Sequence, residues 1–128
     1  MEIPNDLLYT IEHEWIRLKN NRATVGVTDF AQGQLGDVVF VELPVEGMEL
    51  VKENAFGVVE SVKTVSDIYA PVTGKVVAVN KELELQPELV NSDPYGQGWM
   101  IEIEISNSSP EQNLLNADQY REQCKSQE

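Results

Sequence analysis

Lys63 stands among small and polar residues between two short apolar runs, at 56–59 and 68–72. Both runs have the composition of strands, so we expect residues 56–72 to form a hairpin with Lys63 at or near its tip. A lysine amine held in water at a hairpin tip can be acylated. The same pattern also fits a turn lysine that is merely solvated, which is the ordinary fate of surface lysines.

The sequence before the lysine is echoed after it. GDVVFVE at 36–42 returns as GKVVAVN at 74–80, and Phe56-Gly57 returns as Tyr95-Gly96. Each half offers a few short strands with too little apolar surface to fold alone, so we expect the halves to pack face to face around one core. Chance recurrence of a common strand opening is the alternative, and the second match at a similar offset weakens it.

Length and charge narrow the class of protein. The chain has 128 residues, with 22 acidic against 9 basic side chains and a formal charge of -13. Residues 1–128 suit a single domain, with no room for a separate catalytic domain. The charge should repel nucleic acid and anionic membranes, so basic protein surfaces are the expected partners.

No targeting segment is visible in the sequence. Residues 1–6 lack the basic start and apolar core of a secretory signal, and no apolar run is long enough to span a bilayer. Cys124 is the single cysteine, so an internal disulfide is impossible, which fits a reducing compartment. We therefore expect a cytoplasmic protein.

Strand patterns dominate the chain. Trp99 to Ile105 alternates apolar and acidic residues, which predicts a half-buried strand with Trp99, Ile101, Ile103 and Ile105 on one face. Shorter runs of the same kind are Trp15 to Leu18, Ala23 to Val27, Val38 to Glu42, Phe56 to Glu60, Ile68 to Ala70 and Val76 to Val79. Short strands at this spacing predict a mainly β sandwich or small barrel.

Two helices interrupt the strands. Thr28 can cap a short helix that begins at Asp29 and ends at Gly33 or Gly36. A C-terminal helix over about 110–124 is predicted from a cap at Ser109, proline at position 110 and glutamine at position 112. Its apolar face would contain Leu114, Ala117, Tyr120 and Cys124, although Asn116 and Asp118 can break it in two.

Intrinsic catalysis is not expected. His13 is the single histidine, no serine or cysteine has the surroundings of a nucleophile, and no metal-ligand spacing or phosphate loop is present. We expect a non-catalytic protein without a metal. His13 itself is interpreted as a strand-edge histidine satisfied by a neighbouring carboxylate.

Long blocks of the sequence match one family in order. They are YTIEHEW at 9–15, VGVTDFAQ at 25–32, LGDVVFVELP at 35–44, FGVVESVKTVSDIYAPVTGKVVAVN at 56–80 and PELVNSDPYGQGWMIEI at 87–103. Over nearly its whole length the chain resembles the H proteins of the glycine cleavage system. The resemblance implies a barrel-sandwich hybrid of two related halves and lipoic acid in amide linkage to Lys63.

The flanks of the lysine separate two kinds of carrier. Related biotin carriers set their lysine between methionines, whereas here Val62 and Thr64 flank Lys63 and Glu60 lies three residues ahead. This favours a lipoyl group, although a biotin carrier serving a carboxylase stays an alternative. By resemblance, Glu60 and the paired strands let a lipoate ligase or a lipoyl/octanoyl transferase recognise the hairpin.

The resemblance also implies a function and its partners. A glycine decarboxylase (P protein) would pass an aminomethyl group to the lipoyl arm, an aminomethyltransferase (T protein) would take the methylene, and dihydrolipoamide dehydrogenase (L protein) would reoxidise the arm. The carrier would contribute tethering, which raises the effective concentration of the arm at each active site. A hub that distributes lipoyl groups to other enzymes is a further alternative.

Three acids are candidates for holding the loaded arm. An aminomethyl group is cationic and open to attack by water, so a carrier gains by sheltering it in a surface cleft lined with carboxylates. We predict that Glu14 and Asp67 pair with this cation, with Glu12 assisting. The equally weighted alternative is that these acids are ordinary surface charge.

Overall fold

A computed structural model describes residues 1–106 and 113–127 of the chain. Its strands are β1 (Leu8–Tyr9), β2 (Glu14–Lys19), β3 (Arg22–Val27), β4 (Val38–Glu42), β5 (Glu49–Leu50), β6 (Ala55–Ser61), β7 (Val65–Tyr69), β8 (Gly74–Val79) and β9 (Ile101–Ile105). Its helices are α1 (Asp29–Leu35), α2 (Glu82–Leu85), α3 (Leu89–Ser92) and α4 (Ala117–Gln127). The predicted mainly β fold, with a short helix in the N-terminal half and a C-terminal helix, is confirmed.

The strands form two antiparallel sheets. The larger sheet has the order β1-β2-β3-β9-β8-β5, and the smaller has the order β4-β6-β7. The echoed segments at 36–42 and 74–80 contain β4 and β8, which lie in different sheets. The second echo is not structural, because Phe56-Gly57 lies in β6 whereas Tyr95-Gly96 lies in a turn closed by a hydrogen bond from Gly96 N to Asp93 O.

The main core draws side chains from both sheets. The larger sheet contributes Ile16, Val25, Val76, Ile101 and Ile103, and the smaller contributes Val41, Val59 and Ile68. Full burial of each such side chain stabilises the fold by about 1.5–3 kcal/mol. The smaller sheet, which carries the lysine hairpin, is therefore fixed to the larger one by burial of apolar side chains.

The capping prediction for α1 is confirmed. Thr28 Oγ1 accepts a hydrogen bond from Ala31 N at 3.1 Å, and Gly36 ends the helix with a φ of 78°.

The alternation predicted for the strand from Trp99 fails at its first two residues. Met100, expected on the exposed face, is buried, and Trp99 is only partly buried, against a second apolar cluster. No helix in the described ranges is long and apolar enough to cross a bilayer.

The C-terminal helix begins later than predicted. It spans Ala117–Gln127, whereas the sequence pattern predicted a start near 110; the predicted cap at 109–112 lies outside the described residues. Leu115 cannot be helical because its backbone pairs with Tyr9, with N–O distances of 2.7 and 2.8 Å. The helix start is set by Asn116 and Gln119, whose side chains each accept a hydrogen bond from the other's backbone N at 2.9 Å.

One face of α4 closes the second cluster. Ala117, Tyr120 and Cys124 are buried there with Leu7, Tyr9 and Trp15. The rings of Tyr9 and Tyr120 are stacked, with centroids 4.5 Å apart and planes 5° from parallel. The helix is thus fixed against the N-terminal strands.

Gly74 is expected to be intolerant of any side chain. A Cβ there would overlap the Glu104 carbonyl oxygen and the Ile103 side chain, so Gly74→Ala should lower the free energy of unfolding by about 2–3 kcal/mol. Gly33→Ala is the matched control, since a Cβ at this position in α1 meets no atom within 4 Å. It should raise stability by about 1 kcal/mol. Urea unfolding checks both, and equal effects would contradict the account.

Candidate functional site

Lys63 lies in a two-residue loop that joins β6 to β7. The last paired residues are Glu60 and Val65, and Ser61 N donates to Thr64 O at 2.8 Å across the loop. Only Val62 and Lys63 lie between these two positions, and both are exposed. The structure therefore places the lysine at the tip of the hairpin, as the sequence predicts.

Ser61 holds this loop in shape. The residue is buried, and its Oγ accepts hydrogen bonds from Lys63 N at 3.3 Å and Thr64 N at 3.1 Å. Neither Val62 nor Lys63 has the positive φ that the usual two-residue hairpin turns require, so this loop is not one of those turns. Its amides at Lys63 and Thr64 are satisfied by the Ser61 hydroxyl. Sequence reasoning missed Ser61, although serine is one of the residues whose side chain bonds to the backbone of a turn.

A second contact fixes the tip from outside the hairpin. Val62 N donates to the carbonyl oxygen of Asp37, the residue before β4, at 3.0 Å. The loop is therefore attached to the neighbouring strand as well as closed by its own side chain. The loop backbone is thereby held in place, while the Lys63 side chain is exposed.

The Lys63 side chain passes over Gly36. A Cβ built on Gly36 would lie 3.4 Å from Lys63 Cε and 4.0 Å from Nζ. Among the residues that the structure describes, no carboxylate forms a salt bridge with Nζ. The amine is thus accessible, and Gly36 both ends α1 and leaves room for the lysine stem.

A cleft of about 280 Å³ lies beside the hairpin, between α1 and β7. We name it the hairpin cleft. Its apolar lining is Val27, Phe30, Ala31, Leu35 and Ile68, and its polar lining is Glu12, His13, Gln34, Ser66, Asp67 and Gln127. The cleft and the lysine stem are linked through the end of α1, because Leu35 in the cleft wall directly precedes Gly36, over which the stem passes.

The three predicted acids are divided between two pockets. Glu12 and Asp67, both exposed, line the hairpin cleft. Glu14 lines a neighbouring pocket of about 560 Å³, together with Lys52, Tyr69 and others. Glu12 lines both pockets, so it shares the hairpin cleft with Asp67 and the neighbouring pocket with Glu14. Glu14 and Asp67 do not line the same pocket.

Glu14 is a buried carboxyl group rather than surface charge. Its exposed fraction is 1%, Thr10 Oγ1 donates to one carboxyl oxygen at 2.5 Å, and Tyr69 N donates to the other at 3.3 Å. Burial raises its pKa to about 7, although both hydrogen bonds oppose the shift. Near neutral pH the group is therefore poised between its neutral and charged forms.

His13 joins the cleft wall to α4. Its Nε2 lies 2.8 Å from Gln127 Oε1, and its Nδ1 lies 2.7 Å from the Tyr120 hydroxyl. The ring also stacks on Phe30 of α1 at 4.7 Å. The predicted carboxylate partner is thus wrong: an amide and a phenol satisfy this histidine, in a backbone conformation with a φ of 72°.

The hydrogen bonds around His13 form a directed chain. Because Gln127 Oε1 accepts, Nε2 carries the proton and Nδ1 accepts from Tyr120. The Tyr120 oxygen lies 2.7 Å from Thr28 Oγ1, which itself accepts from α1, so Thr28 donates to Tyr120. Burial lowers the pKa of His13, and the neutral ring is the form that gives every donor in this chain an acceptor.

Comparisons with known proteins agree with one another. The glycine cleavage H-protein family model matches residues 7–127. The chain is 57% identical over 122 residues to the glycine cleavage system H protein of Salinibacter ruber, covering 95% of this chain and 98% of the relative. It is 60% identical over 118 residues to that of Symbiobacterium thermophilum, covering 92% of each chain.

A solved structure supports the same assignment. The crystal structure of a glycine cleavage system H protein from Mycobacterium marinum aligns with a TM-score of 0.85 and 38% identity, covering 94% of this chain and 98% of that chain. The predicted barrel-sandwich hybrid fold is confirmed by this likeness.

The pKa of Glu14 predicts a specific dependence of stability on pH. The folded-state pKa of about 7 exceeds the ordinary value of 4.5, so the folded protein binds the proton more tightly than the unfolded chain does. The parent should lose stability as pH rises from about 4.5 through about 7. Glu14→Gln, which cannot ionise, should avoid a loss of about 3 kcal/mol.

Urea unfolding at intervals from pH 4 to pH 8 measures this difference. Glu46→Gln is the matched control, since Glu46 is exposed and outside both pockets. Parallel stability curves for the parent and Glu14→Gln would contradict the burial argument.

Proposed function

The chain belongs to the glycine cleavage H-protein family, and on that premise we propose that it carries lipoic acid in amide linkage to Lys63. In this role it would be a non-catalytic carrier of the aminomethyl group of glycine, acting as one domain in the cytoplasm. The observation that carries the proposal is the accessible Nζ of Lys63, held on a two-residue loop by Ser61 and Asp37. Its partners would be the decarboxylase, the aminomethyltransferase, the dehydrogenase and a lipoyl-attaching enzyme.

Lys63 would be the nucleophile of attachment. Its neutral amine attacks the carbonyl carbon of an activated lipoyl or octanoyl group, and the amide bond forms as the bond to the leaving group breaks. One amine proton leaves with that group. Because the amine has no salt bridge among the described residues, no ion pair must be broken before it reacts.

The site fits a long acyl arm with a cationic load. When bound, the lipoyl group supplies a disulfide ring that accepts the aminomethyl fragment and is later reoxidised. Phe30 and Leu35 offer an apolar wall for the hydrocarbon chain, and Asp67 and Glu12 offer carboxylates to a cation. Glu14 stays a candidate through the neighbouring pocket, where a nearby cation would lower its raised pKa and ionise it.

The flanks of the lysine support lipoate over biotin. Val62 and Thr64 stand where biotin carriers have methionines, and Glu60 stands three residues ahead. We propose that these three residues take part in recognition by the attaching enzyme, since Glu60 closes the strand pairing and Val62 and Thr64 frame the lysine.

Intact mass measures the attachment directly. After incubation with lipoate, ATP and a lipoate ligase, the parent should gain one lipoyl unit. Lys63→Arg should gain none, because a guanidinium is not acylated under these conditions. Lys81→Arg, at another exposed lysine, is the matched control and should be modified like the parent. The proposal is rejected if Lys63→Arg gains a lipoyl unit, or if the parent gains none.

The cleft carboxylates are tested by the lifetime of the loaded arm. The lipoylated chain is incubated with purified decarboxylase and glycine, freed of the enzyme, and followed by mass as its load decays. Asp67→Asn or Glu12→Gln should speed this decay about two- to fivefold, the effect of losing an exposed charge pair. Glu46→Gln should not change it.

Two results would change this account. If only Glu14→Gln speeds the decay, the cation is held in the neighbouring pocket and not in the hairpin cleft. If the lipoylated parent never becomes loaded, the chain does not serve glycine cleavage, and distribution of lipoyl groups becomes the better explanation.

A further inference from the structure

One imidazole and two carboxylates line the hairpin cleft. His13 and Glu12 belong to the loop between β1 and β2, and Asp67 belongs to β7. Both acids are exposed, and no salt bridge among the described residues joins either of them to a cation. The charge of the two carboxylates is therefore open to any cation in the cleft, including a proton on His13.

Uncharged partners hold the His13 ring. Gln127 Oε1 occupies Nε2 at 2.8 Å, and the Tyr120 hydroxyl occupies Nδ1 at 2.7 Å. Burial raises the pKa of Tyr120, so the phenol stays neutral, and protonation of Nδ1 would reverse the bond that the phenol now donates. Because both ring nitrogens are taken, the effect of His13 on a polar group in the cleft is set by the charge of the ring.

Glu12 and Asp67 are the charged groups that face this ring in the described part of the cleft wall. Burial lowers the pKa of His13, against the opposing effects of the Gln127 hydrogen bond and the Glu12 carboxylate. Glu14 is next to His13 in the chain but lines the neighbouring pocket. The side chains that β3 and α1 present to the cleft are all uncharged: Val27, Phe30, Ala31, Gln34 and Leu35.

We propose that a proton on His13 and the cationic load of the arm compete for Glu12 and Asp67, an inference that rests on the proposed function. A neutral His13 leaves both carboxylates to the load. An imidazolium in the same cleft would instead attract the carboxylates to itself and repel the load. His13 is thus a specificity-determining residue, because its neutral form gives the cleft its preference for a cation.

The empty arm should be indifferent to this competition. Its dithiolane ring and hydrocarbon chain carry no charge, so they pack against Phe30 and Leu35 whether or not His13 is protonated. The cleft would therefore distinguish the loaded arm from the empty arm by charge. Acidification should release the loaded arm and leave the empty arm in place.

The coupling between the two cations is reciprocal. A load that lowers the pKa of His13 by about one pH unit must itself bind about tenfold more weakly when His13 is protonated. For unit charges about 7 Å apart, the pKa changes by about 0.4 pH unit with the screening of water, and by about 1.7 at an effective dielectric constant near 20. In a partly enclosed cleft we expect about one pH unit.

The first experiment needs no lipoyl group. His13 is the single histidine, so a chain without a purification tag gives one imidazole signal, whose NMR shift follows protonation. In the unmodified chain, Asp67→Asn and Glu12→Gln should each lower the pKa of His13 by about 0.4 pH unit. Gln127→Glu should raise this pKa, because a carboxylate that accepts from Nε2 favours the imidazolium. Glu46→Gln is the matched control and should leave it unchanged.

The second experiment compares the lipoylated chain with its empty arm and after loading by the decarboxylase and glycine. Loading should lower the pKa of His13 by about one pH unit. The empty arm is the proper reference, since both arms cover the ring with the same hydrocarbon chain and differ in charge.

The variant His13→Asn separates charge from structure. Asparagine tolerates the φ of 72° at this position and cannot be protonated. The rate of load decay in the parent, divided by the rate in His13→Asn, should rise by up to about tenfold as pH falls through the measured pKa of His13. The intrinsic reactivity of the load cancels in this ratio, and a purely structural role would give the same ratio at every pH.

Three results would overturn the competition. They are a parental pKa of His13 in both acid variants, the same pKa with the empty and the loaded arm, and a decay ratio that does not vary with pH. Each leaves the carrier function standing when the lipoylated parent accepts its load. Failure of the lipoylated parent to be loaded rejects the carrier function itself, and the competition falls with it.

Discussion

The presentation of Lys63 depends on the buried hydroxyl of Ser61. This hydroxyl accepts hydrogen bonds from two loop amides that the strand ladder cannot satisfy, and it does so from inside the sheet. The loop can therefore be short without glycine, and its apex is left to a valine and a lysine. The core between the two sheets then holds the hairpin in place, so that an exposed amine rests on a rigid base.

The wall of the hairpin cleft near α4 is held by hydrogen bonds between side chains. Gln127, His13, Tyr120 and Thr28 form one hydrogen-bonded chain from the C-terminal helix to the cap of α1. These elements are distant in sequence, and each of them contributes to a wall or a support of the cleft. The shape of the cleft is accordingly determined by the docking of α4 as well as by the hairpin.

Local patterns in the sequence predicted much of this structure. The hairpin, the cap at Thr28 and the end of α1 at Gly36 depend on neighbours within a few residues, which sequence patterns capture. The start of α4 could not be found in this way, because Leu115 is withdrawn from the helix by pairing with Tyr9. Helical propensity gave way there to a contact between residues far apart in the chain.

The candidate site was predictable in part for the same reason. The exposure of Lys63 follows from local sequence. The burial of Glu14 follows instead from the packing of strands around it. Its separation from Asp67 follows from the different pockets that their strands border. The pairing of Phe40 with Glu60, and of Glu60 with Val65, likewise depends on the register of three strands and on the irregularity in β4. No local pattern encodes such a register.

The position of Gln127 has a consequence for how the hairpin cleft can open. It is the last residue of α4, it lines the hairpin cleft and it accepts the proton of His13, while the buried Tyr120 and Cys124 lie at least three residues earlier. Unwinding of α4 at Gln127 alone would open the wall of the cleft and leave the packed part of the helix in place. The cleft can thereby lose its shelter while the protein stays folded, a change that a urea unfolding curve would not detect.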